Sequence, residues 1–305
     1  MNARLGLLQV CAAGVLWGTG GLVVTVLHER DGVSAMTVSA WRMLIAAVAL
    51  VAFVVLTRRL ASVRTVLREH PVTAIVIGCG TAIYQGLYFV SVLMVGVSVA
   101  TVVSLGLAPV LAATWEHLRA RTRPGVRDVA VLAAALTGLV LISATAGHGT
   151  AAPADRPVLG LVLAVAAGAT YAATTVLGHV LAPRLEPVAL TTCATGAGAV
   201  LLAPFLVLAV VSGEPVAGTS PGSLALLAYL GIATMALSYG LLYAGLRTTS
   251  GSAATVATLV EPISAAALAA VVLGERLGPA GLVGAALILC AVVALRPEED
   301  QPVAV

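Results

Sequence analysis

An all-α membrane protein, with ten transmembrane helices in two inverted five-helix repeats, is the fold class this sequence predicts. Three observations carry that expectation. Of 305 residues, 60% are hydrophobic and only 10% charged, with a mean hydropathy of +1.08, whereas a soluble domain carries about a quarter charged residues. The apolar runs are individually long enough to cross hydrocarbon, which takes about 20 helical residues. The second half of the chain also repeats the first, about 154 residues further on.

Spans are predicted at 5–27, 35–56, 72–94, 97–118, 127–145, 158–180, 188–211, 223–246, 252–273 and 279–295. The first starts inside MNARLGLLQV and continues past Trp17 to Leu27. That exceeds the short apolar core of a cleaved leader and reads as a retained helix. The separators carry charges and breakers: HERDG, TRRLASVRTVLREHP, RARTRPG, TAGHGTAAPADRP, APRLEP, SGEPVAGTSPG, RTTSG and GERLGP. Between the third and fourth spans only MVG, 94–96, is left to turn the chain; a single 47-residue helix is the alternative and is far longer than a bilayer requires. The expected organisation is a first repeat at 1–145, an outer connecting loop at 146–157, a second repeat at 158–295 and a cytoplasmic tail at 296–305.

Lysine is absent, so all 16 basic residues are arginine. Basic residues favour the cytoplasmic side. A cytoplasmic N-terminus places Arg4, Arg58, Arg59, Arg64, Arg68, Arg119, Arg121, Arg123, Arg127, Arg184, Arg247 and Arg296 inside, and only Arg30, Arg156 and Arg276 outside. Both termini are therefore expected in the cytoplasm of a bacterial-type inner membrane. The small net charge of +3 and the absence of basic runs interleaved with aromatics exclude a nucleic-acid partner. Cys11, Cys79, Cys193 and Cys290 each lie in an apolar stretch and read as small packing residues. Their spacing suggests neither a metal site nor a disulfide framework. No catalytic constellation stands out: Glu116 and His117 are adjacent and point about 100° apart on a helix, while His148 and His179 lie elsewhere. The chain is read as a non-enzyme without a cofactor.

The repeat shows in several places. GLLQVCAAGVLWG from Gly6 parallels GLVLAVAAGATYA from Gly160, placing Trp17 opposite Tyr171. YQGLYFV, with Tyr84 and Tyr88, parallels YGLLYAG, with Tyr239 and Tyr243. VATVVSLGLAPVLAA parallels AATVATLVEPISAA, placing Pro109 opposite Pro262. A repeat of five spans is odd-numbered, so the second copy must be inverted. The arginine-rich loops after the second and fourth spans accordingly face arginine-poor counterparts. Inverted repeats are the hallmark of secondary transporters, whose site lies near the midplane between the copies.

The order of GVLWGTGG, YFVSVLMVGVSVATVVSLGLAPV and YAGLRTTSGSAATVATLVEPISAAALAAVVLGERL resembles the EamA family of the drug/metabolite transporter superfamily over the whole chain. The resemblance implies a ten-helix bundle with a central cavity, and movement of small metabolites, often export of amino acids or related compounds. One departure is plain: LGER, with Glu275, has only ARTR in the corresponding place of the first copy.

Tyr84 and Tyr88, and again Tyr239 and Tyr243, are four apart and share a helix face. They read either as facing cavity walls or as packing; Gln85 and Ser238 add donors nearby, and Trp17 and Tyr171 are a second repeat pair. Arg42, about 10 Å into its span by helical rise, either snorkels or pairs with Glu29, Asp31 or Glu275, or attracts an anionic substrate group. Glu275 and Arg276 read as an end-of-helix feature. Pro262 removes a backbone donor near the midplane, and Glu261 beside it is the candidate proton or ammonium site; a bracing role for that acid stays open. The function expected is a secondary active or facilitative transporter of small metabolites by alternating access, with the bilayer, the substrate and protons as partners and the oligomeric state open. The rivals are a proton-coupled exporter of hydrophobic cationic drugs and a non-transporting membrane scaffold or sensor.

Overall fold

The computed structural model describes residues 3–95, 97–145, 157–272 and 278–295. Glu275, Arg276, His148 and the connecting loop and tail lie outside them. Among the described residues there is no strand, and nine helices are long and apolar enough to cross a membrane, with the shorter Pro279–Ala294 completing the bundle.

The elements are α1 (Ala3–Asp31), α2 (Ala35–Leu56), α3 (Leu60–Glu69), α4 (Pro71–Val95), α5 (Val97–Ala120), α6 (Val126–Thr145), α7 (Pro157–Leu181) and α8 (Pro187–Val211). The eighth span is composite: α9 (Pro221–Gly231), a π-helical stretch Ile232–Leu237, and α10 (Ser238–Gly245). The ninth is divided into α11 (Gly251–Ala257) and α12 (Val260–Val272), and α13 (Pro279–Ala294) is the last.

The helix starts follow local chemistry. Proline opens α4, α7, α8, α9 and α13, where its missing N–H costs nothing. Ser34, Ser220 and Ser250 cap α2, α9 and α11 by accepting the amides of Thr37, Ser223 and Ala253. Hydroxyls inside spans turn back on their own helix, as with Thr81 onto Ile77 O at 2.8 Å and Ser104 onto Ala100 O at 2.7 Å. Without water in hydrocarbon, such internal pairing is required. Large apolar side chains cover the outside: Val200 is 76% exposed and Val293 84%, which fits contact with lipid. The segment between the second and third spans is α3, not a plain loop. It puts Val66 into the protein while Arg64 and Arg68 flank it, the pattern of a helix lying at an interface.

The inversion is visible residue by residue. Helix α1 packs on the eighth and ninth spans of the second copy, and α7 packs on α4 and α5 of the first. Gly14 faces the Thr258 carbonyl, with 3.1 Å left for an added Cβ, and Gly168 faces the Ser104 carbonyl with 2.6 Å. Both members of the second contact lie 154 positions from those of the first. On the pseudo-axis, α2 packs on α8 and α6 on α13. There Gly138 and Gly284 abut reciprocally, an added Cβ on either coming within 2.6 Å or 2.7 Å of the other's carbonyl oxygen.

The proline of the repeat does not act equally in both copies. Helix α5 runs unbroken through Pro109, whereas the ninth span is interrupted at Thr258 and Leu259. Pro262 cannot donate to Thr258 O; that carbonyl instead accepts from Glu261 N at 2.9 Å, three residues on. The second copy is also one residue shorter between its threonine and proline, Thr255 to Pro262 against Thr101 to Pro109.

The glycine contacts are backbone against backbone, so they have no room to relax. Gly168→Val is expected to lower stability by about 1–3 kcal/mol, whereas Gly196→Ala, where an added Cβ meets nothing within 4 Å, stays near wild type. Thermal melting in detergent measures both.

Candidate functional site

A cavity of about 580 Å³ lies between the copies, within the range of small-molecule sites. It reaches from Tyr171, Tyr239 and Glu261 in the bundle to His28, Glu29 and Ser34 at the α1–α2 turn, where it opens. Gly20 and Gly21 thin the α1 wall, and α4 supplies Tyr84, Gln85, Tyr88 and Phe89.

The aromatic floor obeys the repeat. Trp17 and Tyr239 have ring centroids 5.1 Å apart, and their counterparts Tyr171 and Tyr84 are also 5.1 Å apart. Within the stripes, Tyr84–Tyr88 is 6.1 Å and Tyr239–Tyr243 is 6.2 Å. Each cross-copy pair joins a first helix to a third helix of the other copy, in the separation range where aromatic rings attract. The hydroxyl of Tyr88 meets Thr101 Oγ1 at 2.8 Å and that of Tyr171 meets Thr258 Oγ1 at 2.9 Å. The second bond ties the floor to the break in the ninth span.

Two side chains of opposite charge face this cavity, Arg42 from α2 and Glu261 from α12. They are within electrostatic reach, yet no hydrogen bond or ion pair joins them, and Arg42 Nε is buried without a partner. Arg42 therefore turns inward. It neither snorkels to the interface nor pairs with Glu29 or Asp31. Gln85 is 6% exposed, and neither its amide oxygen nor its nitrogen is partnered.

Most sequence-predicted residues converge here: Trp17, Arg42, Tyr84, Gln85, Tyr88, Tyr171, Tyr239 and Glu261 all line the cavity. Two do not. Ser238 is fully buried off the cavity wall. Tyr243 lies beneath the floor, against a small space of about 10 Å³ that it shares with Thr174, Thr175 and Leu242. Pro109 and Pro262 do not line it either; Pro262 acts through the break beside Glu261.

The end opposite the mouth is tied shut across the copies. Arg59, at the α2–α3 turn, pairs with Glu186 at the start of α8. Hydrogen bonding from Ser62 and Arg59 holds the Glu186 carboxyl below the usual carboxylate range. Glu116 on α5 accepts the Ser252 N–H at 3.0 Å and the Ser252 hydroxyl. It thereby caps α11 of the other copy, a long-range role that adjacency to His117 gives no hint of. His179 Nδ1 lies 3.1 Å from Leu246 O. Among the described residues, no cluster of His, Cys, Asp and Glu is arranged to hold a metal.

A helical membrane bundle of two inverted halves, with a cavity between them that opens at one end, has the architecture of a secondary transporter. The chain belongs to the EamA-like transporter family of the drug/metabolite transporter superfamily, matching its model once per repeat, over residues 4–144 and 158–296. YwfM of Bacillus subtilis (strain 168), described as an uncharacterized transporter, is 28% identical over 291 residues, covering 95% of this chain and 93% of that protein. YicL of Salmonella typhimurium, described as an uncharacterized inner membrane transporter, is 26% identical over 294 residues, covering 96% and 95%. A solved structure described only as "Crystal structure of protein" has a TM-score of 0.77 over 95% of both chains at 21% identity, which shows the shared fold alone.

Loss of Glu116 leaves the Ser252 amide of α11 unsatisfied, while Ala253 keeps its bond to Ser250. Glu116→Ala is expected to cost about 0.5–2 kcal/mol and to raise hydrogen exchange at Ser252, read by mass spectrometry.

Proposed function

We propose that the protein moves small zwitterionic metabolites, amino acids or close relatives, by alternating access through this cavity, with export as its direction. The observation that carries the reading is the pair of opposite charges, one from each copy, facing one cavity without engaging each other. Arg42 takes a substrate carboxylate and Glu261 an ammonium or, between substrates, a proton. Trp17, Tyr84, Tyr171 and Tyr239 pack on the carbon skeleton. Arg42 in the same chamber repels hydrophobic cations and so weighs against the drug-export alternative.

The arginines of the α2–α3, α5–α6, α7–α8 and eighth-to-ninth span turns lie at the closed end, which supports a cytoplasmic placement for that end and for both termini. The cavity then faces outward in this state. The repeat supports a specific inward route. Thr174, Thr175 and Tyr243, around the small space, occupy the repeat positions of Gly20, Gly21 and Tyr88 of the open cavity. The opposite state opens along Thr174, Thr175, Gly178 and His179, as α7 parts from α10.

Two measurements test the reading. Counterflow of labelled amino acids into proteoliposomes, with and without a pH gradient, is expected to fall at least tenfold in Glu261→Gln, with loss of any pH dependence; unchanged uptake and unchanged pH dependence would remove Glu261 from the mechanism. In a cysteine-free background, cysteine at Thr25 is expected to react with an impermeant thiol reagent from outside. Cysteine at His179 is expected to react from the cytoplasmic side, faster when substrate is cycling. A His179 cysteine that stays inert throughout contradicts the inward route.

A further inference from the structure

Among the described residues of the cavity wall, Gln85 is an uncharged amide with neither of its polar atoms partnered. Two of the tyrosine hydroxyls on the same wall are supplied, Tyr88 by Thr101 and Tyr171 by Thr258. Gln85 has two donors and an acceptor to satisfy, lies 6% exposed against the cavity, and has both amide atoms unpaired. Burying an amide without partners is unfavourable, so a hydrogen-bonding group that enters the cavity and displaces the wall around Gln85 gains by pairing with it.

The repeat shows that the architecture itself does not call for an amide at this place. The residue after the first tyrosine of the second stripe is Gly240, and a Cβ built there would meet nothing within 4 Å. The second copy packs without a side chain where the first spends an unpaired glutamine. Like Arg42 and Glu261, Gln85 departs from the symmetry, and all three departures face the same chamber.

We infer that Gln85 is the specificity-determining residue for the substrate's side chain, selecting zwitterions with a hydroxyl or carboxamide over apolar isosteres. The inference rests on the zwitterion reading above, in which Arg42 and Glu261 hold the two charges and leave the amide for a third group. The aromatic walls contact polar and apolar isosteres alike. An apolar pocket discriminates weakly between shapes that differ by one hydroxyl, whereas a site with its own polar group to leave unpaired rejects the analogue that cannot pair.

Counterflow in proteoliposomes containing the full-length chain, with threonine against valine and asparagine against leucine, provides the test. Wild type is expected to favour the polar member of each pair by about tenfold or more, within the range for such recognition. Gln85→Met, which keeps the length and removes the hydrogen bonding, is expected to invert the preference. An equal ratio in wild type and Gln85→Met, or a wild type that favours valine and leucine, overturns the inference while leaving the zwitterion reading standing. A wild type that moves none of the four, yet counterflows a solute that is not a zwitterion, overturns both. Thermal melting of wild type in detergent gives a readout independent of the variant's folding: threonine must raise the melting temperature more than valine does, and equal protection counts against the role of Gln85.

Discussion

An arginine and a glutamate inside a bilayer must meet, share something polar between them, or leave the acid holding a proton. Arg42 and Glu261 do not meet, although in a low-dielectric interior their attraction would be strong. An arginine at the bilayer centre costs about 2.5–3.5 kcal/mol on insertion scales even when it can relax. Holding it inward, facing a carboxylate across a gap, requires a chamber that admits water or ligand. The remaining architecture can be understood as the means of keeping that chamber open at one end only. Helices α1, α2, α4, α7, α10 and α12 line it, while the Arg59–Glu186 pair and the Glu116 cap join the copies at the far end.

Duplication supplies the frame and its exceptions supply the chemistry. Backbone contacts at Gly14 and Gly168, and aromatic contacts at Trp17–Tyr239 and Tyr171–Tyr84, recur with the same partners one repeat apart. Such contacts are rigid because no flexible side chain intervenes. The exceptions cluster: the broken ninth span, the π-helical stretch just before Ser238 and Tyr239, Arg42, Gln85 and Glu261. Irregular helix in a membrane is tolerated where it lines a cavity or is buried in protein, and irregularities of this kind accompany functional sites.

The inverted repeat, the spans and most of the cavity wall were legible in the sequence because they depend on periodicity. Tyrosines four apart share a face, and a copied stripe marks a copied wall. Tyr243 escaped this logic because the repeat relates positions but not surroundings: its counterpart Tyr88 lines the large cavity, whereas Tyr243 lies beneath its floor. Helical rise gives Arg42's distance along its span but says nothing of azimuth, so its turn into the bundle needed the packing of α2. Pro109 and Pro262 looked equivalent, and the missing residue before Pro262 made only one of them a break. The α3 helix was hidden among charges that resemble a loop, and the Glu116–Ser252 cap joins residues far apart in sequence, so no local pattern announces it.

The pairing of Arg42 with a substrate carboxylate is the claim on which the account turns. Calorimetric titration of an amino acid and of its methyl ester, which lacks the carboxylate, into wild type and Arg42→Gln measures it directly as a cycle. If the two groups interact, wild type binds the ester much more weakly than the acid, Arg42→Gln binds both alike, and the two losses overlap. Losses that simply add would show that Arg42 and the carboxylate act independently, and would contradict the account.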